Sequence, residues 1–292
     1  MLKSQMNRRT NPYQKFISEC AQLLESGKQL PPGNPQKIPR RRKIPADAPK
    51  VLLFSPHPDD ECIVGGLALR LLRETNWNVI NVAVTLGSKV ERRAERLAEL
   101  RGACDFLGFG LAVAGWEDIN PDAHRENRPA WRAAVEIVAE ILTEQQPRAI
   151  FVPHESDQHP THIGTHLLVL DALAALPVDF ECNIVETEFW GQMTDPNLLV
   201  ESSSEDVGDL VAALAFHIGE VRRNPYHALL PGRMMDNVLR GAELVGGLGG
   251  AVPDFTFATI YRLRQWSRGR LTDVLPHGAL LSHSQNPAGL FK

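Results

Sequence analysis

The 292-residue sequence predicts an α/β fold with a mostly parallel sheet, on three observations. From residue 51 onward, short apolar or β-branched runs alternate with longer stretches of helical period, the pattern of strands feeding crossover helices. The composition, 43% hydrophobic and 23% charged, is that of an ordinary globular chain with enough length for its own core. Clusters rich in His and Asp follow two of the apolar runs directly, where open α/β sheets bind their ligands.

The elements are read in order as follows. Residues 12–26 have helical period, and 27–48 are rich in Pro, Lys and Arg. Together they form an appendage, a helix plus a basic Pro-rich arm over residues 1–49, ahead of a single domain over 50–292. Residues 51–54 are a buried strand ended by Ser-Pro, and 62–74 a helix with Ile63, Leu67, Leu71 and Leu72 on one side. Residues 79–86 are a second strand, and 89–107 a long helix with Leu97, Leu100, Cys104 and Leu107 inward. A helix over 128–144, a strand over 149–153, a helix over 161–176 and a strand over 184–190 follow. Ser203, Ser204 and Asp206 open a helix over 203–222, since such residues cap helix starts. Residues 234–244 read as helical, 255–263 as a late strand and 275–292 as irregular. The whole is a three-layer α/β/α, Rossmann-like arrangement with its active site at the C-terminal ends of the strands.

Charge and cysteine usage narrow the function classes. The net charge of −4 is unevenly spread: residues 1–50 hold 11 Lys/Arg against 3 Asp/Glu, and the remainder 20 against 32. The acidic domain therefore lacks a nucleic-acid footprint, and the basic run 37–43 reads as a solvated arm. Such arms often pack across subunits, so a homo-oligomer is compatible with it. No run of about 18 apolar residues occurs, so no membrane span is expected. The N-terminus has positive charge but no apolar stretch behind it, so no secretory signal is expected and cytoplasm is the expected compartment. Cys20, Cys62, Cys104 and Cys182 are widely spaced and form no disulfide frame.

The chemistry lies in two clusters. After the first strand comes Ser55-Pro56-His57-Pro58-Asp59-Asp60-Glu61. Adjacent aspartates repel unless a cation or hydrogen bonds neutralise them, and a metal is the economical explanation. His57 and Asp60, at i,i+3, converge on one ion while Asp59 points elsewhere. A helix N-terminus would favour Asp60 and Glu61 but gives no reason for His57. After residues 149–153 come His154, His159, His162 and His166, four of the ten histidines. His162 and His166 have the i,i+4 spacing that chelates zinc, and His159 and His162 flank the helix start. Two His and one Asp leave coordination positions open, the layout of a catalytic zinc. Asp59 and His159 are the spare base and acid.

At these residues the sequence resembles the LmbE-like, or PIG-L, zinc-dependent de-N-acetylases. His57-Pro58-Asp59-Asp60-Glu61 is similar to the family's H-P-D-D-E, and His159-Pro160-Thr161-His162 to its H-P-D-H. Arg96, Glu99, Ala103, Leu107 and Gly108 match the helix motif between them. The resemblance covers roughly residues 50–222. It implies that His57, Asp60 and His162 hold Zn²⁺, or another divalent ion such as Fe²⁺. It implies that Asp59 is the general base, that His159 assists as acid or oxyanion stabiliser, and that Arg96 lies on the substrate side. The implied reaction removes an N-acetyl group from an amino sugar or glycoconjugate. Thr161 departs from the family's Asp, which implies a lower pKa for His159, with Asp157 or Glu155 as substitute partners. Glu61 reads as a structural partner at the helix start.

Other features complete the reading. Residues 218–227 suggest a substrate wall, with Tyr226 and His227 as binding candidates, and Trp116, Glu117 and Asp118 a loop over the site. Residues 246–250, Gly-Gly-Leu-Gly-Gly, follow a helix-like run and not a strand, so a dinucleotide site fails its context. A facial-triad iron oxygenase fits poorly, because it would leave Asp59 without a role and such sites sit in all-β barrels. An amidase on a non-sugar N-acyl substrate and a non-catalytic, metal-retaining sugar-binding protein stay open.

Overall fold

The computed structural model describes residues 11–33 and 43–291; the stretch 37–42 of the basic run lies outside them. Helix α1 (Pro12–Lys28) is capped by the Asn11 side chain, which accepts from the Tyr13 amide, and opens on a proline, as helix starts favour. The domain then alternates β1 (Lys50–Ser55), α2 (Asp60–Ile63), α3 (Gly66–Thr75), β2 (Asn78–Ala83), α4 (Arg93–Leu107), β3 (Gly110–Val113), α5 (Pro121–Arg125), α6 (Pro129–Gln145), β4 (Ala149–Pro153), α7 (Pro160–Ala174) and β5 (Cys182–Thr187). It continues with β6 (Leu198–Ser202), α8 (Ser204–Leu214), α9 (Ile218–Arg223), α10 (Tyr226–Gly246), β7 (Phe257–Ser267), β8 (Arg270–Asp273) and β9 (Ala279–Leu281).

One sheet runs β3-β2-β1-β4-β5-β7-β6-β9, with β8 on β7. The first five strands are parallel, and β7 is antiparallel to both β5 and β6. The mostly parallel α/β sheet expected from the sequence is therefore present. Side chains of β1 alternate between two cores. Val51 and Leu53 face Leu67, Leu100 and Leu210 of α3, α4 and α8. Leu52 and Phe54 face Trp131, Val138 and Leu168 of α6 and α7.

The differences from the sequence reading have physical causes. The helix expected over 62–74 is two helices, because the Tyr261 hydroxyl enters the gap, accepting from the Leu67 amide (3.0 Å) and donating to the Val64 carbonyl (2.7 Å). The helix expected over 203–222 breaks after Leu214, where His217 turns inward to meet Glu61 at 2.7 Å. Strands β3 and β6 are additional: β3 is a four-residue edge strand with no buried residue, and β6 is a five-residue strand whose burial does not alternate, so each has too little pattern to read. The tail expected to be irregular adds β9 to the sheet, and β8, just ahead of it, pairs with β7.

The tail is held by Arg70, whose side chain is fully buried. It donates to Glu74 (2.6 Å) and to the backbone carbonyls of Glu201, Ser282 and Gln285. Arg70→Met would leave these acceptors without their donor, and the expected loss is about 3 kcal/mol. Urea unfolding with an unchanged slope and a lowered midpoint would show it; an unchanged midpoint would remove Arg70 from the tail's support.

Candidate metal and active site

Strand β1 lies between β2 and β4, the chain leaving it to one side and returning on the other. Loops after β1 and β4 therefore open into one crevice, the place where such sheets bind ligands. The loop after β1 is held at every residue. The Thr85 hydroxyl donates to the Pro56 carbonyl (2.7 Å), and the Arg96 guanidinium to the Pro58 carbonyl (3.2 Å). The His57 amide donates to Asp60 Oδ2 (2.8 Å), and the Asp59 amide to Glu61 Oε2 (3.0 Å). Asp59 has φ of 116°, a left-handed conformation that costs a non-glycine residue energy and persists where surroundings over-determine it. Glu61, fully buried, supplies that constraint from both oxygens, one on the Asp59 amide and one on His217.

The loop after β4 is tied by Asp157, which is buried. Its Oδ1 accepts from the His159 amide (2.9 Å), and its Oδ2 accepts from the Trp190 amide (3.2 Å) and lies 3.5 Å from His162 Nδ1. His159 caps α7, its Nδ1 accepting from the Thr161 amide at 3.2 Å. Asp157, adjacent in space and not at position 161, thus buttresses His162; Glu155 is exposed.

His57, Asp60, His159 and His162 come together. The Asp60 Oδ2 atom is 3.4 Å from His162 Nε2 and 3.7 Å from His57 Nδ1. One ring nitrogen each from His57, His159 and His162 falls within 4.8 Å of the others. Asp60 Oδ1 and His162 Nε2 are buried without a hydrogen-bond partner, which costs free energy that a cation would recover. The donor set, imidazole and carboxylate, is one that zinc accepts. His166, by contrast, turns to the Pro153 carbonyl at 2.8 Å, and His154 to the Gly191 carbonyl at 2.9 Å.

The electrostatics are uneven. Burial, then the Asp60 and Glu61 carboxylates, raise the pKa of Asp59 well above the usual range, against the opposing Arg96 charge. Burial would also raise Asp60, but His162 and His57 outweigh it and hold Asp60 low. Burial would lower His162, but Asp60 and Asp157 raise it overall. His159 is lowered, first by burial and then by His57 and His162. The direction matches the expectation from Thr161, while the causes are burial first and the neighbouring imidazoles second.

Above this cluster lies a cavity of about 660 Å³. Its floor is His57, Asp59, Asp60, His159 and Thr161, and its walls come from residues within 85–96, 116–120, 189–190 and 220–226. The expected loop Trp116, Glu117 and Asp118 forms one wall, and Phe189 with Trp190 another. Arg96 lines the cavity, as does Tyr226, whose hydroxyl accepts from the Asn224 side chain (3.2 Å). Glu220 gathers Arg92 (3.4 Å), Arg96 (3.6 Å) and Arg223 at one side. His227 is not brought in: it is buried one residue along α10, toward Gly27 of α1, with both ring nitrogens unsatisfied. Trp190, Phe189 and His217 are not singled out by the sequence, and Glu220 enters only as part of the 218–227 stretch. The signal for Trp190 is its place at the end of an apolar run, and His217 lies among ordinary helix residues.

Among the described residues, no helix is long and apolar enough to cross a membrane. The PIG-L family profile, described as GlcNAc-PI de-N-acetylase, matches residues 52–173. A 1D-myo-inositol 2-acetamido-2-deoxy-α-D-glucopyranoside deacetylase from Thermomonospora curvata is 32% identical over 164 residues, 45% of this chain and 55% of the relative. The chain thus spans about half the length of the curated relatives it matches. The fold is similar to N,N'-diacetylchitobiose deacetylase from Pyrococcus horikoshii, with a TM-score of 0.55, 18% identity, and 85% of this chain and 92% of that one covered. It is also similar to 4-carboxy-2-hydroxymuconate hydratase from Pseudomonas putida, with a TM-score of 0.56, 14% identity, and 74% and 95% covered. Since the same fold carries a hydratase, the fold alone does not select the reaction. The stretch that matches the PIG-L family profile contains both loops of the crevice.

Proposed function

We propose that the chain is a zinc-dependent hydrolase that removes an N-acetyl group from an amino sugar, giving acetate and a free amine. The observation that carries this reading is the convergence of two buried, unpartnered donor atoms, Asp60 Oδ1 and His162 Nε2, beneath a cavity floored by Asp59 and His159. The names of the relatives, deacetylases of N-acetylated sugars, support the substrate class.

His57, Asp60 and His162 would hold the ion. When bound, zinc supplies Lewis acidity to the amide carbonyl and to water. Asp59, fixed on the cavity floor by its own amide bond to Glu61, takes the proton of the attacking water. Its raised pKa brings a carboxylate closer to the matched value of a general base. His159 accepts at Nδ1 from the Thr161 amide, so Nε2 carries the ring proton. That N–H would donate to the developing oxyanion, while the proton Asp59 takes from the water passes on to the leaving amine, the step an amide most needs because the amine leaves poorly. Asp157 orients both histidine-bearing positions. Arg96 pins the Pro58 carbonyl and so the backbone beside Asp59. The exposed Trp190 ring lies along the cavity edge near His159, their centroids 5.9 Å apart, and offers a sugar an apolar face.

The test is primary-amine release by zinc-loaded protein from glucosaminyl-inositol, chitobiose and amino-acid N-acetyl derivatives. Release from at least one sugar and none from the amino acids is expected. Release from the N-acetyl amino acids alone would move the assignment to a non-sugar amidase. No release from any of them, by protein that holds stoichiometric zinc, would overturn the reading.

A further inference from the structure

The start of α4 sorts its charges by sign. Lys89 precedes the one-turn 3₁₀ helix Val90–Arg92 that leads into α4. Lys89, Arg92, Arg93 and Arg96 recur at three- and four-residue steps, so they share one face. All four line the cavity, while Glu91 and Glu95 of the same stretch do not. Arg223, at the end of α9, adds a fifth cation to the wall. The surrounding domain is acidic, with 20 Lys/Arg against 32 Asp/Glu over residues 51–292. A wall assembled without regard to charge would share that sign.

The protein's own carboxylates do not use up this set. Above the floor, Glu117, Asp118 and Glu220 line the cavity, three against five. Asp118 also faces Arg128, at 3.8 Å. Glu220 alone meets Arg92, Arg96 and Arg223. Three of the cations are committed to the frame. Arg92 meets Glu95 (3.5 Å) and presses on Gly219, where a Cβ would lie 1.7 Å from its Nη2. Arg96 holds the Pro58 carbonyl (3.2 Å), and Arg93 holds Glu117 and the Gly87 carbonyl (3.2 Å). The other two have donors to spare. Lys89 is exposed and makes no ion pair among the described residues. The Arg223 side chain is 66% exposed and reaches only Glu220. Lys89 neighbours Arg92 across one helical turn, and Arg92 shares Glu220 with Arg223, so both belong to one patch.

We propose that the sugar taken by this site carries an anionic group, a phosphate or a carboxylate, held by Lys89 and Arg223 at the wall while its acetamide lies on the floor. This rests on the reading of the site as an N-acetyl-sugar hydrolase and adds the charge of the substrate. Ammonium and guanidinium groups bind such anions through charge-assisted hydrogen bonds. A cleft lined by one sign of charge also concentrates ligands of the other sign. Phe189 and Trp190 leave an apolar wall for the sugar ring, and about 660 Å³ leaves room for its charged substituent.

Zinc-loaded protein would be given N-acetylglucosamine, its 6-phosphate, its 1-phosphate and N-acetylmuramic acid, which bears a carboxylate. At least one anionic sugar is expected to exceed N-acetylglucosamine in kcat/KM by about 10-fold or more. That advantage should vanish in the double variant Lys89→Gln, Arg223→Gln, whose circular dichroism checks the fold. It should also shrink as salt rises from about 50 to 500 mM. Phosphate esters ahead of muramic acid would name a phosphate, and the reverse a carboxylate. N-acetylglucosamine turned over as well as every anionic sugar would overturn the proposal while leaving the hydrolase reading intact. An advantage that the double variant keeps would overturn the assignment to Lys89 and Arg223. A second readout needs no turnover: calorimetric binding of glucosamine 6-phosphate against glucosamine, by wild type and double variant. Phosphate-dependent binding lost in the double variant, with no sugar hydrolysed, would sustain the anion subsite and sink the hydrolase reading. Neither hydrolysis nor phosphate-dependent binding would sink both.

Discussion

Asp59→Asn is expected to keep its metal and to lose about 10²- to 10⁴-fold in amine release, the range of a lost general base. Asparagine matches aspartate in shape, so the backbone bond from residue 59 to Glu61 Oε2 survives. The strained conformation at 59 also suits asparagine, which is among the residues that tolerate positive φ. What disappears is the capacity to take a proton. Removing a buried carboxylate beside Asp60 and Glu61 also relieves like-charge repulsion. The variant should therefore unfold at an equal or higher temperature while being nearly inactive. Metal content by elemental analysis, a thermal melt and the rate of amine release check the three parts. Activity within threefold of the wild type would remove Asp59 from the base role, and loss of metal would make it a ligand.

His162→Ala is expected to lose bound zinc, its affinity falling by more than the 10–100-fold typical of a lost supporting contact. His162 joins the Asp60 carboxylate to its support at Asp157, with 3.4 Å on one side and 3.5 Å on the other. Asp157→Asn keeps the ligand and weakens only its orientation, so it should stay within the 10–100-fold range. His166→Ala is the contrast, because that ring serves the Pro153 carbonyl beneath the sheet. It should retain full metal content. Equilibrium dialysis against a zinc chelator separates the three. Zinc lost from the residue 166 variant and kept by the residue 162 variant would reverse the ligand assignment.

These two comparisons mark where reading from sequence stopped. On sequence alone His162 and His166 share one helical spacing and one chemistry. Helix α7 turns one toward the crevice and the other under β4. The same holds for Tyr226 and His227, adjacent in the chain, of which only the first lines the cavity. Asp157 could be suspected as a partner, but its geometry depends on the Trp190 loop, brought in from beyond β5.

By itself the sequence determined the strand–helix alternation, the parallel half of the sheet, and the two polar loops that follow β1 and β4. All of these are local: hydrophobic period, β-branched runs and polar residues at fixed short offsets depend on a few neighbours in the chain. Only the tertiary structure decided that the two loops share a crevice, since that requires β1 and β4 to be sheet neighbours across about a hundred residues. It alone broke two helices, at Gly65 and at His217, because the groups that interrupt them, Tyr261 and Glu61, arrive from distant segments. It also decided which histidines face one another, because a helix rotates each residue about 100° from the last and packing sets where that rotation begins.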